Sequence, residues 1–334
     1  MRRIETHAFA RAGLVGNPSD GYFGKTISLS IRDFAARIVI YDWPTLEILP
    51  SAEDHVRFDS LADLAEDVRR NGYYGALRLV TASLKKFHDY CVENDVELPQ
   101  RNFSIRYETD VPRQVGLAGS SAIITATFRA LMRFFEIEIP IEILPNWILA
   151  TERDELNIMA GLQDRVAQTY EGLVYMDFDR AKMERDGFGT YRRLDVKLLP
   201  PLYLAYQTQL SEESGVVHTS LRDRWDRGDQ EVVDAMRGFA TLTDRFQEAL
   251  LARDYDELAK VIDANFDLRR SIMNISPGHL QMVETARACG ASAHFAGSGG
   301  AIIGTYRDDE TFQLLYHELG RQGCRVIKPK IDDH

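Results

Sequence analysis

The chain has 334 residues, 45% of them hydrophobic and 27% charged, which is the balance of an ordinary globular protein. A formal charge of −11 argues against an electrostatic grip on nucleic acid or anionic lipid, so an anionic ligand would need a local basic pocket. Three cysteines (Cys91, Cys289, Cys324) without C-x-x-C spacing give no basis for a disulfide framework or zinc site, and no apolar run is long enough to span a bilayer. With no apolar signal core after Met1-Arg2-Arg3, the expected location is the cytoplasm.

Alternating or β-branched runs predict strands at 4–10 and 26–42, separated by the turn-rich loop Gly16-Asn17-Pro18-Ser19-Asp20-Gly21-Tyr22-Phe23-Gly24-Lys25. Leu77, Val80, Leu84 and Phe87 repeat at helical spacing within Tyr74–Tyr90. A strand over Phe103–Val111 leads into a glycine-rich loop, a helix over Ile123–Phe135 and a second helix from Ile141 to about Leu156. Strands at Gly172–Phe178 and Thr190–Val196 read as a returning pair, and Pro200-Pro201 marks a boundary before a strand at Leu202–Tyr206. From Ser214 to Met273 the pattern is helical. The last quarter alternates helix 278–289, strands 293–296 and 301–306, helix 309–321 and strand 324–328. The expected class is α+β in two parts, 1–199 and 200–334.

Four segments carry chemistry. In Pro112-Arg113-Gln114-Val115-Gly116-Leu117-Ala118-Gly119-Ser120-Ser121-Ala122, two glycines let successive N–H groups point inward and a hydroxyl pair opens a helix, the requirements of a triphosphate cradle. Gly24-Lys25-Thr26 mimics the end of a Walker loop but has Ser19 where the first glycine belongs. Glu152 and Asp164 stand twelve residues apart across Gly161. One carboxylate suits Mg²⁺, which takes only one or two protein carboxylates beside phosphates; the other suits a proton acceptor. Gly297-Ser298-Gly299-Gly300 between two strands is either a tight hairpin or a turn whose amides approach a phosphate. Arg11, closing the first strand, could neutralise a phosphoryl group in transfer or lie on an edge. Arg222, Arg224, Arg269 and Arg270 are candidates for carboxylate recognition, most of them expected in surface ion pairs. His218 and His294 read as structural or exposed, and Met159, Met176, Met273 and Met282 as core fillers.

Together, Arg11 with Gly16-Asn17-Pro18-Ser19-Asp20, the 112–122 cradle, Glu152 with Asp164 and the 297–300 turn resemble the GHMP kinases, whose three signature motifs appear in order over about residues 7–306. The finer resemblance is to the glucuronokinases, carried by 16–26, the longer cradle, Val217-His218-Thr219-Ser220-Leu221-Arg222 and Asn265-Phe266-Asp267-Leu268-Arg269-Arg270. The resemblance implies an N-terminal α/β sandwich with a C-terminal ferredoxin-like half, ATP and Mg²⁺, and transfer of phosphate to the anomeric hydroxyl of D-glucuronate. It implies Pro112, Gln114, Val115, Gly116, Leu117, Ala118, Gly119, Ser120, Ser121 and Ala122 for the nucleotide, and Ser121 and Glu152 for the metal. Asp164 would be base or orienter and Arg11 the phosphoryl stabiliser. Asn17, Asp20, Tyr22, Lys25, Arg222, Arg269 and Gly297, Ser298, Gly299, Gly300 would meet the sugar, with Lys25, Arg222 and Arg269 the candidates for its carboxylate. Asn17-Pro18 in place of the usual Glu-His speaks against a neutral hexose. Another acidic or phosphorylated sugar (galacturonate, a heptose phosphate) is the alternative substrate, and a non-catalytic nucleotide-binding regulator the alternative class. A monomer or homodimer acting on small molecules is expected, the adenine near the start of the 72–84 helix.

Overall fold

The computed structural model describes residues 2–50, 75–207 and 215–331, with 215–220 described by backbone alone. In chain order the elements are β1 (Arg3–Val15), a 3₁₀ turn (Ser19–Tyr22), β2 (Lys25–Asp42), β3 (Glu47–Leu49), α1 (Ala76–Glu93), β4 (Phe103–Thr109), α2 (Gly119–Phe135) and α3 (Leu144–Ala150). A π-turn (Thr151–Glu155) follows, then α4 (Gln163–Tyr170), β5 (Leu173–Asp177), α5 (Arg180–Asp186), β6 (Thr190–Leu194), a 3₁₀ turn (Val196–Leu198) and β7 (Leu202–Gln207). The rest comprises α6 (Gly215–Asp226), α7 (Gln230–Ala252), α8 (Tyr255–Ile272), α9 (Pro277–Ala288), β8 (His294–Phe295), β9 (Ala301–Thr305), α10 (Asp309–Gly320) and β10 (Cys324–Ile327). The class is α+β, as the sequence leads one to expect. The predicted 141–156 helix is in fact two pieces, α3 and the π-turn. The residues that call for the wider turn are polar (Thr151-Glu152-Arg153-Asp154-Glu155), and apolar periodicity is silent about them.

The chain gathers into two compact units built from separated stretches: residues 1–8, 35–110 and 119–160 form one, and 9–34, 111–118 and 161–334 the other. In the first unit, the second half of β2 pairs antiparallel with β4 (Ala36↔Thr109 to Asp42↔Phe103), and β3 adds in parallel to β4. Its core takes Ala36, Ile38 and Ile40 from β2, Ile105 and Tyr107 from β4, and the apolar faces of α1 and α2 (Leu79, Val80, Phe87; Ile124, Phe128, Leu131). Period two on the strands and period 3.6 on the helices deliver those residues to one place.

In the second unit, the first half of β2 pairs antiparallel with β5, and β5 with β6. Here β2 has two unlike faces. Ile27, Leu29 and Ile31 enter the core, while Thr26, Ser28 and Ser30 are equally buried. That small hydroxyl face seats α4: Gln163 Nε2 donates to Ser28 Oγ at 2.8 Å, and Ser30 Oγ to the Ala167 carbonyl at 3.5 Å. Gln168 Nε2 fixes the same helix to the carbonyls of Phe9 and Ala118 at 3.1 and 2.9 Å.

The last four strands form an antiparallel sheet in the order β10-β7-β9-β8. Numbered along the chain this is 4-1-3-2, with helices in both crossovers, the ferredoxin-like arrangement. Both faces are covered: Leu202, Leu204 and Tyr206 of β7 enter one core with α7 and α8, and Tyr203 and Ala205 enter another with α9 and α10. Among the described residues no helix is long and apolar enough to cross a membrane.

Candidate active site

In the second unit, Arg11 on β1 is almost fully buried, and its guanidinium joins three segments remote in sequence. Nε donates to Asp164 Oδ1 at 2.6 Å, and Nη1 to the carbonyls of Gly116 and Ala296 at 2.8 and 2.6 Å. The backbone repeats the tie: Arg11 N–H donates to Leu117 O at 3.2 Å and Gly13 N–H to Ala296 O at 2.7 Å. The cradle therefore lies against the glycine turn. At Gly116 (φ 74°) a Cβ would come 2.8 Å from Ser298 N, and a Cβ on Gly297 would overlap the Gly116 carbonyl oxygen. Neither position has room for a side chain.

Gln114, Gly116 and Ala118 all have positive φ (57°, 74° and 62°), so the cradle alternates handedness residue by residue. Such alternation turns successive N–H groups to one side and makes an anion-binding concavity. The side chains of Val115 and Leu117 are buried in the core and fix the loop from behind, Pro112 and Gln114 precede and share its bend, and Ala118 runs directly into α2.

Asp164 sits in the first turn of α4, where the Ser28 and Ser30 seat places it. Arg165 follows, also buried, with Nη1 3.4 Å from Asp164 Oδ2 and donating to the Gly161 carbonyl at 2.8 Å. Asp164 thus stands between two guanidiniums. Asp20, from the 3₁₀ turn, accepts from the Gln163 N–H at 3.1 Å. Burial, and then the negative charge of Asp164, push its carboxyl up to about 6, against the pull of that N–H and of Arg11 and Arg165. Burial and repulsion from Arg11 bring Arg165 down to about 9 and Arg269 to about 10.

The remaining substrate candidates of this unit have distinct surroundings. Lys25 Nζ holds both oxygens of Asp244, at 2.9 and 2.8 Å. Arg222 donates to the Gly21 carbonyl at 2.9 Å and stacks 4.6 Å above the Tyr22 ring, itself packed on Trp225. Arg269 is buried on α8 and donates to the carbonyls of Gly297 and Ser298 at 2.8 and 3.4 Å. Asn17 is buried with its Oδ1 unsatisfied. Gly299 and Gly300 complete the turn at φ 140° and 79°. The side chains of 217–220, and residues 72–74 at the expected adenine side, lie outside the described residues.

In the first unit, the cradle continues as Gly119, Ser120, Ser121 and Ala122, the opening turn of α2. Glu152, on the π-turn, is fully buried, and its Oε1 accepts from Ser120 Oγ at 2.8 Å. Ser121, the sequence's metal candidate, is buried on the same turn. One residue rotates a helix by about 100°, and the sequence carries no mark of that phase. The π-turn is held from the other side by Lys85 and Lys86 of α1, 2.8 and 3.1 Å from Glu155. A buried carboxylate beside a hydroxyl is an oxygen-only donor pair of the kind Mg²⁺ takes. Among the described residues no cluster of three or more His, Cys, Asp or Glu is placed to hold a metal.

Sequence reasoning passed over Arg165, Gln163 and Asn265. The first two flank Asp164 at the start of a short helix just after Gly161, a polar trio that was legible. Asn265, whose Oδ1 accepts from the Gly16 N–H at 2.7 Å, carried no mark beyond its segment.

Residues 78–172 match the family model for the N-terminal domain of GHMP kinases. The chain is 44% identical over 332 residues to glucuronokinase 1 of Arabidopsis thaliana, covering 98% of this chain and 91% of that protein. Among solved structures it resembles Lactococcus lactis galactokinase complexed with galactose (TM-score 0.77, 15% identity, 99% and 94% of the two chains). It also resembles Streptococcus pneumoniae phosphomevalonate kinase in complex with phosphomevalonate and AMPPNP (TM-score 0.74, 16% identity, 99% and 100%). The chain belongs to the GHMP kinase family. Within it the chain stands with the glucuronokinases, as a small-molecule kinase that uses ATP.

Proposed function

We propose that the protein transfers the γ-phosphoryl group of ATP to the anomeric hydroxyl of D-glucuronate, giving glucuronate 1-phosphate and ADP. The observation that carries the reading is the Arg11 guanidinium, which ties Asp164, the cradle at Gly116 and the glycine turn at Ala296 into one constellation. The glucuronokinase relatives, matched along 98% of the chain, support the sugar.

Phosphoryl transfer asks little covalent help of a protein and much positioning and charge neutralisation. Asp164 accepts the hydrogen of the sugar C1 hydroxyl, aligning its oxygen on the γ-phosphorus and taking the proton as the new P–O bond forms. The bond to the ADP oxygen breaks as it does so. Arg11 keeps Asp164 in place and brings positive charge to the cradle. The N–H groups of 114–118 hold phosphate oxygens. Asp20 takes sugar hydroxyls, and Gly297 to Gly300 cover the reacting end. Ser120 or Ser121, with Glu152, would hold Mg²⁺; when bound, the ion neutralises phosphate charge. A panel of hexuronates and neutral hexoses with Mg-ATP, read by ADP release and by NMR assignment of the phosphorylated carbon, tests the reading. Turnover of another sugar without glucuronate would overturn it.

A further inference from the structure

Helix α8 presents Asn265 and Arg269 four residues apart, on one face. Each reaches a different segment. Asn265 accepts from the Gly16 N–H at 2.7 Å and donates to the Asn17 carbonyl at 3.4 Å; Arg269 donates to the carbonyls of Gly297 and Ser298. The Asn17 side chain lies beside the same turn: a Cβ on Gly13 would fall 2.6 Å from Asn17 Nδ2 and 3.4 Å from the oxygen of Ala296.

Among the described residues, two buried polar atoms in this neighbourhood have no hydrogen-bond partner, Arg269 Nε, a donor, and Asn17 Oδ1, an acceptor. The guanidinium is a charge as well. Its contacts are two carbonyls and the Phe295 ring, 5.1 Å away, and no carboxylate among the described residues pairs with it. The neighbouring buried arginines differ, since Arg11 and Arg165 both pair with Asp164. A buried cation without a counter-charge is costly, and an arriving anion removes that cost. The other basic candidates lack the deficit. Lys25 already holds both oxygens of Asp244, and Arg222 is only partly buried, so the cost of desolvating its charge is smaller.

We propose that Arg269 and Asn17 form the subsite for the acidic end of the sugar, Arg269 taking the carboxylate and Asn17 Oδ1 accepting from a neighbouring hydroxyl. A carboxylate would satisfy the Arg269 guanidinium and a hydroxyl the Asn17 oxygen, which makes a polyhydroxy acid the matching ligand class. A phosphate is a less complete match, because a phosphate dianion offers no donor to Asn17. The proposal rests on the reading that the site takes a sugar acid.

The test is calorimetric titration of the full-length protein with glucuronate and with glucuronamide, the same sugar without the charge, and separately with ATP. Arg269→Gln is expected to weaken glucuronate about 100-fold, in the range for unpairing a buried charge, while glucuronamide and ATP move less than about threefold. Equal losses on acid and amide would reduce Arg269 to a brace for the glycine turn. A loss of ATP affinity would make it a phosphate ligand, and loss of the acid preference in Arg222→Gln instead would transfer the role. Each of these overturns the proposal. Should Arg269→Gln fail to fold, Arg269→Lys keeps the charge without the fork and is expected to cost the acid at least ten times what it costs the amide. If the unaltered protein binds galacturonate in place of glucuronate, the substrate reading fails, and the same acid-to-amide comparison on galacturonate still decides the role of Arg269.

Discussion

Glu152 and Asp164 are two carboxylates twelve residues apart, and their surroundings have little in common. In the first unit Glu152 is fully buried, meets a serine hydroxyl, and rides a π-turn pinned by two lysines that reach Glu155. In the second unit Asp164 stands at the start of an α-helix between Arg11 and Arg165. The first is a buried carboxylate beside a hydroxyl, the oxygen-donor pair proposed above for Mg²⁺. The second already has two guanidiniums against its oxygens, which hold it in the position proposed above for orienting the sugar hydroxyl. Environment separates chemically similar side chains.

Breaking the second region should cost most. Asp164→Asn keeps the shape, and kcat is expected to fall by about 10²–10⁴ with ATP affinity retained; unchanged turnover in a steady-state assay would remove Asp164 from the chemistry. In the first region, Glu152→Gln should raise the half-saturating Mg²⁺ concentration by about 10–100-fold. That is measured both by activity and by the Mg²⁺-dependent rise in melting temperature with ADP bound. An equal loss at saturating metal would assign Glu152 another role. Gly297→Ala places a methyl against the Gly116 oxygen and is expected to destabilise the protein by about 1–3 kcal/mol, seen in urea unfolding. A neutral result would mean the turn and the cradle are free to separate.

The smallest effect sharpens the contrast through pH. Asp20 holds its proton up to about pH 6, against an ordinary carboxyl value of 3.8. Its folded value is the higher, so protonation favours the native state and that stability is lost as pH rises through about 6. Asp20→Asn should therefore melt about 2–4 °C higher than the unaltered protein at pH 8, an advantage that fades by pH 4. Its glucuronate turnover should fall, since the sugar loses an acceptor. A melting advantage that persists at pH 4 would mean burial alone, and no charge, strains the site.

Much of this was legible in the chain itself. Alternation in Ile27, Leu29 and Ile31, the glycine spacing of 116 and 119, and the acid pair across Gly161 all survive translation into structure because they are local, fixed by backbone sterics and period. Other features were illegible for a physical reason. The π-turn depends on what α1 offers Glu155, and Ser120's contact with Glu152 depends on helix phase. Lys25 reads as a free cation until Asp244, far along the chain, is found holding it.

The sequence by itself determined the order of strands and helices, the α+β class and the segments that carry chemistry, since φ preferences and burial periodicity act within a few residues. Only the tertiary structure decided which charges have a counter-charge beside them and which have none among the described residues. Arg11, Arg165 and Arg269 are the same residue type, and the difference among them lies in a carboxylate 150 or so residues away for one, next door for another and, for the third, absent among the described residues. Coulomb energy and desolvation are set by distance in space, and sequence separation does not encode it.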